Sequence, residues 1–376
     1  LNSATTEDIV KIVNIEGQER LLYKSFPINV VFVRGSYADE YGNCTVHHEI
    51  GPIDVTAMAQ ACRNSGGKVI VQVEKVVQGG TLDPKLVAIP GIYVDAIVIG
   101  SAEDNMQCLG TPYDGSLTGE YRIPMDAIPV IPLDAKKIIA RRAAMELPQD
   151  AIVNLGTGAP EKIANVAAEE GISDKMTLTV EAGSVAGIPM GGTQFGASAN
   201  AMAIIPHNVQ FDFYQGGGLD VAFLGLAETA PNGDLNVSKF GTRLAGAGGF
   251  IDITQNAKKV VYCGTFTAKG LKTECCDGTL VITQEGAKKK FVRQVEHITF
   301  SGRYAMEVGQ PVLYITERAV FELRPNGVTL VEIAPGIDLQ AQVLDQMEFM
   351  PKIAPDLKLM DSRIFREGKM GLADEK

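Results

Sequence analysis

Short apolar runs rich in β-branched residues recur along this 376-residue chain, separated by helical patterns and by Gly, Pro or Asn turns. Such uninterrupted runs are typical of strands that are buried on both faces of a parallel sheet. The predicted strands are 30–33, 68–73, 94–100, 152–156, 176–181, 221–225, 258–264 and 312–317. Strands that alternate with helices in this way predict an open α/β fold.

Helical periodicity occurs at 54–64, 134–147, 161–170 and 338–349. Asp134 and Asp338 stand at the start of two of these stretches, where a carboxylate accepts hydrogen bonds from the first helical N–H groups. We therefore predict that both residues are N-caps. Arg141 and Arg142 are expected on the polar face of their helix.

A weak internal repeat relates an early segment, INVVFVRGSYADEYGNCTV (28–46), to a later one, LDVAFLGLAETAPNGDLNV (219–237). Both contain an apolar strand, small and acidic residues, an Asn/Gly turn and a second strand. Val30 and Val221 are 191 residues apart, and so are Lys68 and Lys259. A repeat at this period predicts two related α/β halves.

The predicted halves are joined by RIPMDAIPVIPLD (122–134), whose prolines are too closely spaced for a helix or a central strand. This gives an amino-terminal half with its linker at 1–133 and a carboxy-terminal half at 134–376. The first half has far fewer residues before its repeat strand than the second. We therefore expect it to be incomplete at its amino end, with the rest supplied by a missing amino-terminal segment or a companion chain.

The composition excludes several classes of function. Lys+Arg 34 against Asp+Glu 45 gives a net charge of −11, which argues against a nucleic-acid partner. No apolar run reaches the roughly 18 residues of a membrane helix. The six cysteines include no C-x-x-C pair, which predicts no metal site or disulfide framework and fits a cytoplasmic protein.

Two motifs carry candidate chemistry. In TLTVEAGSVAGIPMGG (177–192), Glu181 falls at the carboxyl end of a strand, where α/β sheets bind ligands. A free glutamate is ionised at pH 7 and acts as a nucleophile without a base. The alternative is a strand-end carboxylate that caps a turn or pairs with a lysine. In GTRLAGAGGFIDIT (241–254), Gly246, Gly248 and Gly249 suggest backbone N–H groups turned toward an anion or, alternatively, a tight crossing of two backbones.

A third loop, NLGTGAPEKIANVA (154–167), has Gly156 and Gly158 between a strand and a helix. Glu161 stands where a dinucleotide fingerprint requires Gly or Ala, and Pro160 alters the turn. A dinucleotide-dependent oxidoreductase is therefore a distant alternative, and a tight strand-to-helix turn is the simpler interpretation.

The motifs taken together resemble the family I CoA-transferases, and within them the single-chain acetate/propionate (short-chain acyl) type. The resemblance runs through NLGTGAPE, TVEAGSVAGIP, QGGGLDVAFLGLAE, GDLNVSKFG, GAGGFIDITQNAKKVVYCGTF and LVEIAPGIDL. It implies that the glutamate of the E-x-G motif, Glu181, forms covalent intermediates. It also implies that Gly249, the last glycine of the G-x-G-G motif, gives a backbone N–H to an oxyanion hole.

The resemblance further implies transfer of CoA between a short-chain acyl-CoA and a free carboxylic acid through a glutamyl-CoA thioester. Gly183, Gly246 and Gly248 would line the substrate and CoA site, with coenzyme A as a substrate, no metal or redox cofactor, and a homo-oligomeric enzyme. Lys239 is a candidate for binding the CoA phosphates. Lys269 and Lys288 to Lys290 are candidates by position as well, but the triple lysine is more often a solvated hairpin tip.

Two alternatives remain open at this point. A related acyl-CoA hydrolase would let water resolve the glutamyl-CoA. A non-catalytic fragment would bind CoA or a partner without exchanging acyl groups, and the expected amino-terminal gap is the reason to consider it.

Overall fold

The computed structural model describes residues 2, 6–124 and 129–374. The chain divides into two compact units, Leu1–Thr118 and Gly119–Lys376. The sequence-based boundary at 133/134 lies later in the chain and stays a prediction. Part of the predicted linker, residues 125–128, lies outside the described residues.

The first unit contains one α-helix, α1 (Val55–Asn64), in the part of it that the structure describes. Its strands are β1 (Val10–Ile15), β2 (Gln18–Tyr23), β3 (Val30–Arg34), β4 (Tyr37–Asp39), β5 (Cys44–Thr45), β6 (Lys68–Val73), β7 (Lys75–Val77), β8 (Val87–Ile89) and β9 (Ala96–Ile99). β3, β6 and β9 form a parallel sheet. Val31, Val69 and Val71 point from it into a core that α1 covers, whereas Phe32 on the opposite face is 74% exposed. The core of this unit is therefore built on one face of the sheet.

The second unit is built on a ten-stranded sheet. Its strands, in spatial order, are β15 (Ala203–Ile204), β12 (Ser184–Val185), β11 (Met176–Thr179), β10 (Ala151–Leu155), β16 (Val221–Gly225), β21 (Val260–Cys263), β26 (Val312–Ile315), β27 (Ala319–Arg324), β28 (Gly327–Ile333) and β29 (Lys352–Leu359). The five strands from β11 to β26 are mutually parallel. Their carboxyl ends therefore meet at one edge, as the α/β pattern predicts.

The described part of the second unit also contains short antiparallel strand pairs, six α-helices and several short 3-10 helices. The remaining strands are β13 (Ile188–Pro189), β14 (Ser198–Ala199), β17 (Glu228–Thr229), β18 (Leu235–Asn236), β19 (Lys239–Phe240), β20 (Arg243–Leu244), β22 (Thr267–Ala268), β23 (Lys272–Cys276), β24 (Thr279–Gln284) and β25 (Lys288–Lys289). The helices are α2 (Ala135–Ala144), α3 (Lys162–Glu170), α4 (His207–Gln215), α5 (Phe250–Gln255), α6 (Gly302–Glu307) and α7 (Leu339–Gln342). In the described residues, no helix is long and apolar enough to span a bilayer.

The internal repeat is confirmed in the strand register. β3 pairs in parallel with β6 through Val31 and Val69, and β16 pairs in parallel with β21 through Ala222 and Val260. Ala222 lies 191 residues after Val31, and Val260 lies 191 residues after Val69. The two units thus use one strand arrangement twice.

The helix predictions need three corrections. The N-caps are confirmed, because Asp134 accepts a hydrogen bond from the Lys137 N–H and Asp338 from the Ala341 N–H. The last helix is much shorter than predicted, since α7 ends at Gln342. Arg141 and Arg142 are buried rather than on a polar face. The helices α4, α5 and α6 were not predicted.

Candidate active site

Glu181 lies on a tight turn at the carboxyl end of β11. The chain reverses there, since the Gly183 N–H donates to the Val180 carbonyl at 2.9 Å and Thr179 pairs with Val185 on β12. Gly183 has φ +118°, and a Cβ on it would collide with the carbonyl oxygen of Ile205. The turn therefore requires glycine two residues after the partly exposed glutamate.

Asn154 of β10 holds the Glu181 carboxylate from the neighbouring strand. Its Nδ2 donates to Glu181 Oε2 at 3.2 Å and to the Thr179 carbonyl at 3.3 Å. The side chain is 1% exposed, and β10 and β11 run parallel, so both groups come from the carboxyl edge of the sheet. The carboxylate is thus oriented by a neutral donor, and no lysine or arginine forms an ion pair with it among the described residues.

The G-x-G-G loop leads directly into α5, with Gly249 at its N-cap position. Gly246 and Gly248 have φ of +83° and +55°. The Gly246 N–H donates to the Ser238 carbonyl, but the N–H groups of residues 247–249 donate to no acceptor in the described part of the chain. They are therefore available as donors, and their role toward an anion stays a prediction.

Helix α4 contacts both motifs. Its Gln210 donates to the Val180 carbonyl at 3.4 Å, beside Glu181. Its Phe211 packs on Gly249, where an added Cβ would lie 2.7 Å from the ring. Two consecutive residues of one helix therefore contact the surroundings of the E-x-G and G-x-G-G motifs, although 68 residues of sequence separate Glu181 from Gly249.

Comparison with known proteins supplies the family. Residues 4–100 match the Coenzyme A transferase family. A caffeate CoA-transferase of Acetobacterium woodii is 49% identical over 379 residues, which cover 99% of this chain and 72% of that protein. The chain belongs to the family I CoA-transferases. Its predicted enzyme class is confirmed.

Two further relatives of this CoA-transferase agree in sequence and fold. The acetate CoA-transferase YdiF of Escherichia coli strain K12 is 45% identical over 371 residues, covering 99% of this chain and 70% of that protein. The crystal structure of the YdiF apoenzyme from E. coli O157:H7 superposes with a TM-score of 0.92 over the same shares of the two chains. The predicted fold class is confirmed.

Lys239, proposed from its position as a ligand of the CoA phosphates, lies on β19. Its ammonium is 2.6 Å from Glu296 Oε1, and Glu296 also accepts the Gly241 N–H. Lys239 and this backbone donor lower the pKa of Glu296, so the carboxylate is ionised and offsets the lysine charge. Lys239 would have to exchange this partner for a phosphate.

The triple lysine is not a solvated tip. Lys288 pairs with Glu228 at 3.0 Å, and Lys289 donates to the Asp345 carbonyl at 2.6 Å. Lys290 is only 7% exposed. Its ammonium makes no hydrogen bond or ion pair within the described chain. The apolar pair Phe291-Val292 that follows Lys290 is the sequence signal that could have indicated its burial, in contrast to Lys288 and Lys289.

The loop at Gly156 fits the simpler interpretation. The Gly156 N–H donates to the Phe223 carbonyl at 2.8 Å, and a Cβ on Gly156 would lie 2.7 Å from the Leu224 side chain. Glycine is therefore explained by the close approach of β10 and β16. No group of His, Cys, Asp or Glu in the described residues has the arrangement of a metal site.

Sequence reasoning did not find Asn154, Gln210 or Tyr214, which together surround the base of the Glu181 turn. Asn154 stands at the start of the recognised segment NLGTGAPE, so its position at a strand end was an available signal. Gln210 and Tyr214 carry no motif. Only the placement of α4 brings them to the site.

Proposed function

We propose that this enzyme moves CoA between a short-chain acyl-CoA and a free carboxylic acid, with Glu181 as the nucleophile. One observation carries the proposal: the Glu181 carboxylate lies at the carboxyl edge of the parallel sheet, held by Asn154 and without a cationic partner in the described chain. An ionised carboxylate in this setting is free to attack a carbonyl carbon. A second YdiF crystal structure, a thioester complex with CoA, supports the same chemistry.

The reaction proceeds by ping-pong exchange. A carboxylate oxygen of Glu181 attacks the thioester carbonyl, which releases CoA thiolate and leaves an acyl-glutamyl anhydride. The thiolate then attacks the glutamyl carbonyl, frees the first acid as its carboxylate and forms glutamyl-CoA. A second carboxylate attacks this thioester, the thiolate leaves and returns to the acyl carbonyl, and the Glu181 carboxylate is regenerated.

Each carbonyl attack places a negative charge on an oxygen. The unpaired N–H groups of residues 247–249 are donors suited to such a charge, and removal of one such donor costs about 100- to 1,000-fold in rate in other enzymes. Gly249 is the proposed oxyanion donor.

Gly183, Gly246 and Gly248 shape the substrate and CoA surface, and coenzyme A is a substrate rather than a resident cofactor. Acetate and propionate are the proposed acids, and a homo-oligomer is the proposed assembly.

The test is a peptide map of the intact chain after mixing with propionyl-CoA and quenching in acid. We expect a CoA adduct on the peptide that contains Glu181, and we expect acetate to discharge it with formation of acetyl-CoA. Glu181→Gln should abolish the adduct and lower transfer by at least about a thousandfold, since the covalent route is lost. The matched control is Glu307→Gln, a surface carboxylate paired with Arg303.

The alternatives give different results in the same experiment. An adduct that water discharges as fast as acetate does would assign the enzyme as an acyl-CoA hydrolase. Binding of CoA without any adduct would favour a non-catalytic fragment. Adding an amino-terminal segment from a longer form would then distinguish an incomplete site from an inactive one.

A further inference from the structure

Four neutral polar side chains are buried beneath the Glu181 turn. Asn154 and Thr179 come from β10 and β11, and Gln210 and Tyr214 come from α4. Each is at most 3% exposed. Burial of four polar side chains is unfavourable unless they form hydrogen bonds with one another or with the backbone. A buried network in which the hydrogen bonds are satisfied favours a single arrangement of its side chains.

The direction of the hydrogen bonds is set by a backbone carbonyl. Thr179 Oγ1 lies 3.0 Å from the Val153 carbonyl and donates to it. A hydroxyl has one hydrogen, so Thr179 Oγ1 must accept from Tyr214 Oη, which lies 2.9 Å away. The single hydroxyl hydrogen of Tyr214 is thus donated to Thr179, so Tyr214 Oη can only accept hydrogen bonds from its other neighbours.

Those neighbours are two side-chain amides. Gln210 Nε2 donates to Tyr214 Oη at 3.0 Å, and Asn154 Nδ2 lies 3.5 Å from it. The acceptors around Asn154 Nδ2 are thus Tyr214 Oη, the Thr179 carbonyl and Glu181 Oε2. An inverted Asn154 amide would set its oxygen against a carbonyl and a carboxylate oxygen, which repel it.

We propose that Tyr214 is a positioning residue which, with Thr179, fixes the Asn154 amide so that its N–H, and never its oxygen, faces Glu181. This rests on the proposed role of Glu181 as nucleophile. Burial raises the pKa of Tyr214 to about 12, with the nearby Glu181 charge acting in the same direction and the three hydrogen bonds opposing it. The hydroxyl therefore keeps its hydrogen at every pH at which the enzyme would be assayed.

The role predicts a specific response to two isosteric changes. Tyr214→Phe removes the acceptor that Asn154 and Gln210 share. Thr179→Val frees the Tyr214 hydrogen, which can then be donated to Asn154 Oδ1 and stabilise the inverted amide; in the native chain this oxygen is buried with no partner in the described residues. Either change should slow single-turnover adduct formation from propionyl-CoA roughly tenfold, the effect of one charge-assisted hydrogen bond, with unchanged affinity for propionyl-CoA.

The double variant and a conservative variant separate positioning from stability. Because both residues act through one amide, the double variant should be no slower than the slower single variant. Thr179→Ser keeps the hydroxyl and should restore the rate. The matched control is Tyr314→Phe, which loses an equally buried hydrogen bond, 2.8 Å to the Gly233 carbonyl, and should lower the melting temperature without changing the rate.

The proposal is overturned if Tyr214→Phe and Thr179→Val lower the melting temperature as Tyr314→Phe does and leave adduct formation unchanged. Multiplicative slowing in the double variant would also overturn it, since the two residues would then act independently. If the wild-type chain itself forms no adduct, the proposed function fails as well. If the wild-type chain forms the adduct and the Tyr214 and Thr179 variants form it equally fast, only the positioning role of Tyr214 is refuted, and the proposed function stands.

Discussion

Lys290 is a buried cation at the carboxyl ends of β16 and β21. A Cβ on Gly264, the residue after β21, would lie 2.8 Å from its Nζ and 2.7 Å from the Leu226 carbonyl oxygen. Burial lowers the pKa of Lys290 from 10.5 to about 8, against the opposing attraction of the Glu317 carboxylate. The charged form of this side chain therefore destabilises the folded state.

The sign of this effect can be measured with Lys290→Met. The folded pKa is depressed, so the penalty is fully present below about pH 8 and is lost as the pH rises toward 10.5, where the unfolded chain also releases the proton. At pH 7 we expect the variant to be more stable by on the order of 2 kcal/mol. The difference should shrink at pH 10, as measured by denaturant unfolding at both pH values.

A suitable control is Lys258→Met, because Lys258 is exposed and pairs with Asp220 at the surface. Exposed pairs contribute from zero to about 1 kcal/mol, so this variant should change little at pH 7. An equal gain for Lys290→Met at pH 7 and pH 10 would show that the ammonium charge is not the cause.

At the scale of elements, the turn between β11 and β12 carries the candidate nucleophile, Glu181. Two constraints act on Gly183: its φ of +118° and the carbonyl oxygen of Ile205, which occupies the place of a Cβ. A side chain there must move the backbone that carries Glu181. The turn is thus a structural requirement for the position of the carboxylate.

Gly183→Ala should therefore lose both stability and activity. We expect a loss of about 1–3 kcal/mol in the free energy of unfolding, the usual range for such strain, and at least a tenfold slower adduct formation because the carboxylate leaves its Asn154 contact. Gly225→Ala is the control, since Gly225 ends β16 with ordinary φ and nothing lies within 4 Å of an added Cβ. Normal adduct formation by a stably folded Gly183→Ala would contradict the requirement.

At the scale of the whole molecule, the end of the chain packs back onto helices formed some 200 residues earlier. Glu170 of α3 accepts the N–H groups of Met370, Gly371 and Leu372 at 2.7, 2.8 and 3.1 Å. Arg141 of α2 donates to the carbonyls of residues 364, 366 and 368. These two buried side chains attach the segment 364–372 to α2 and α3.

Glu170→Gln replaces one of the accepting oxygens by an NH₂ group, which faces a backbone donor. We expect a loss of roughly 1.5–3 kcal/mol, the value of hydrogen bonds to a charged group, and faster hydrogen exchange at residues 370–372. Glu367→Gln, at an exposed position of the same segment, should leave both unchanged. Unaltered exchange in Glu170→Gln would mean that other contacts hold the segment.

Much of the fold could be predicted from the sequence. The predicted strands 68–73 and 221–225 have the observed bounds, because short apolar runs between turn residues leave the chain few other conformations. The 191-residue repeat predicted two related halves, and the structure shows that one strand pair in each half shares the same register. The N-caps Asp134 and Asp338 were predictable for a similar reason, since a cap is a contact between residues three apart.

The same local logic located the two motifs of the candidate site, but not what surrounds them. Helix α4 has no motif, and Tyr214 acts through Asn154, 60 residues away. Arg141 looked like a surface residue because the carbonyls that bind it are more than 220 residues away.

The sequence by itself indicated the strands of the two parallel sheets and their repetition, and it made Glu181 a candidate for covalent chemistry. Only the tertiary structure decided which polar groups are buried together, and with it the orientation of Glu181 and the environment of Lys290. The physical reason is that burial and hydrogen-bond direction depend on neighbours from distant segments, whereas periodicity and capping depend on the chain within a few residues.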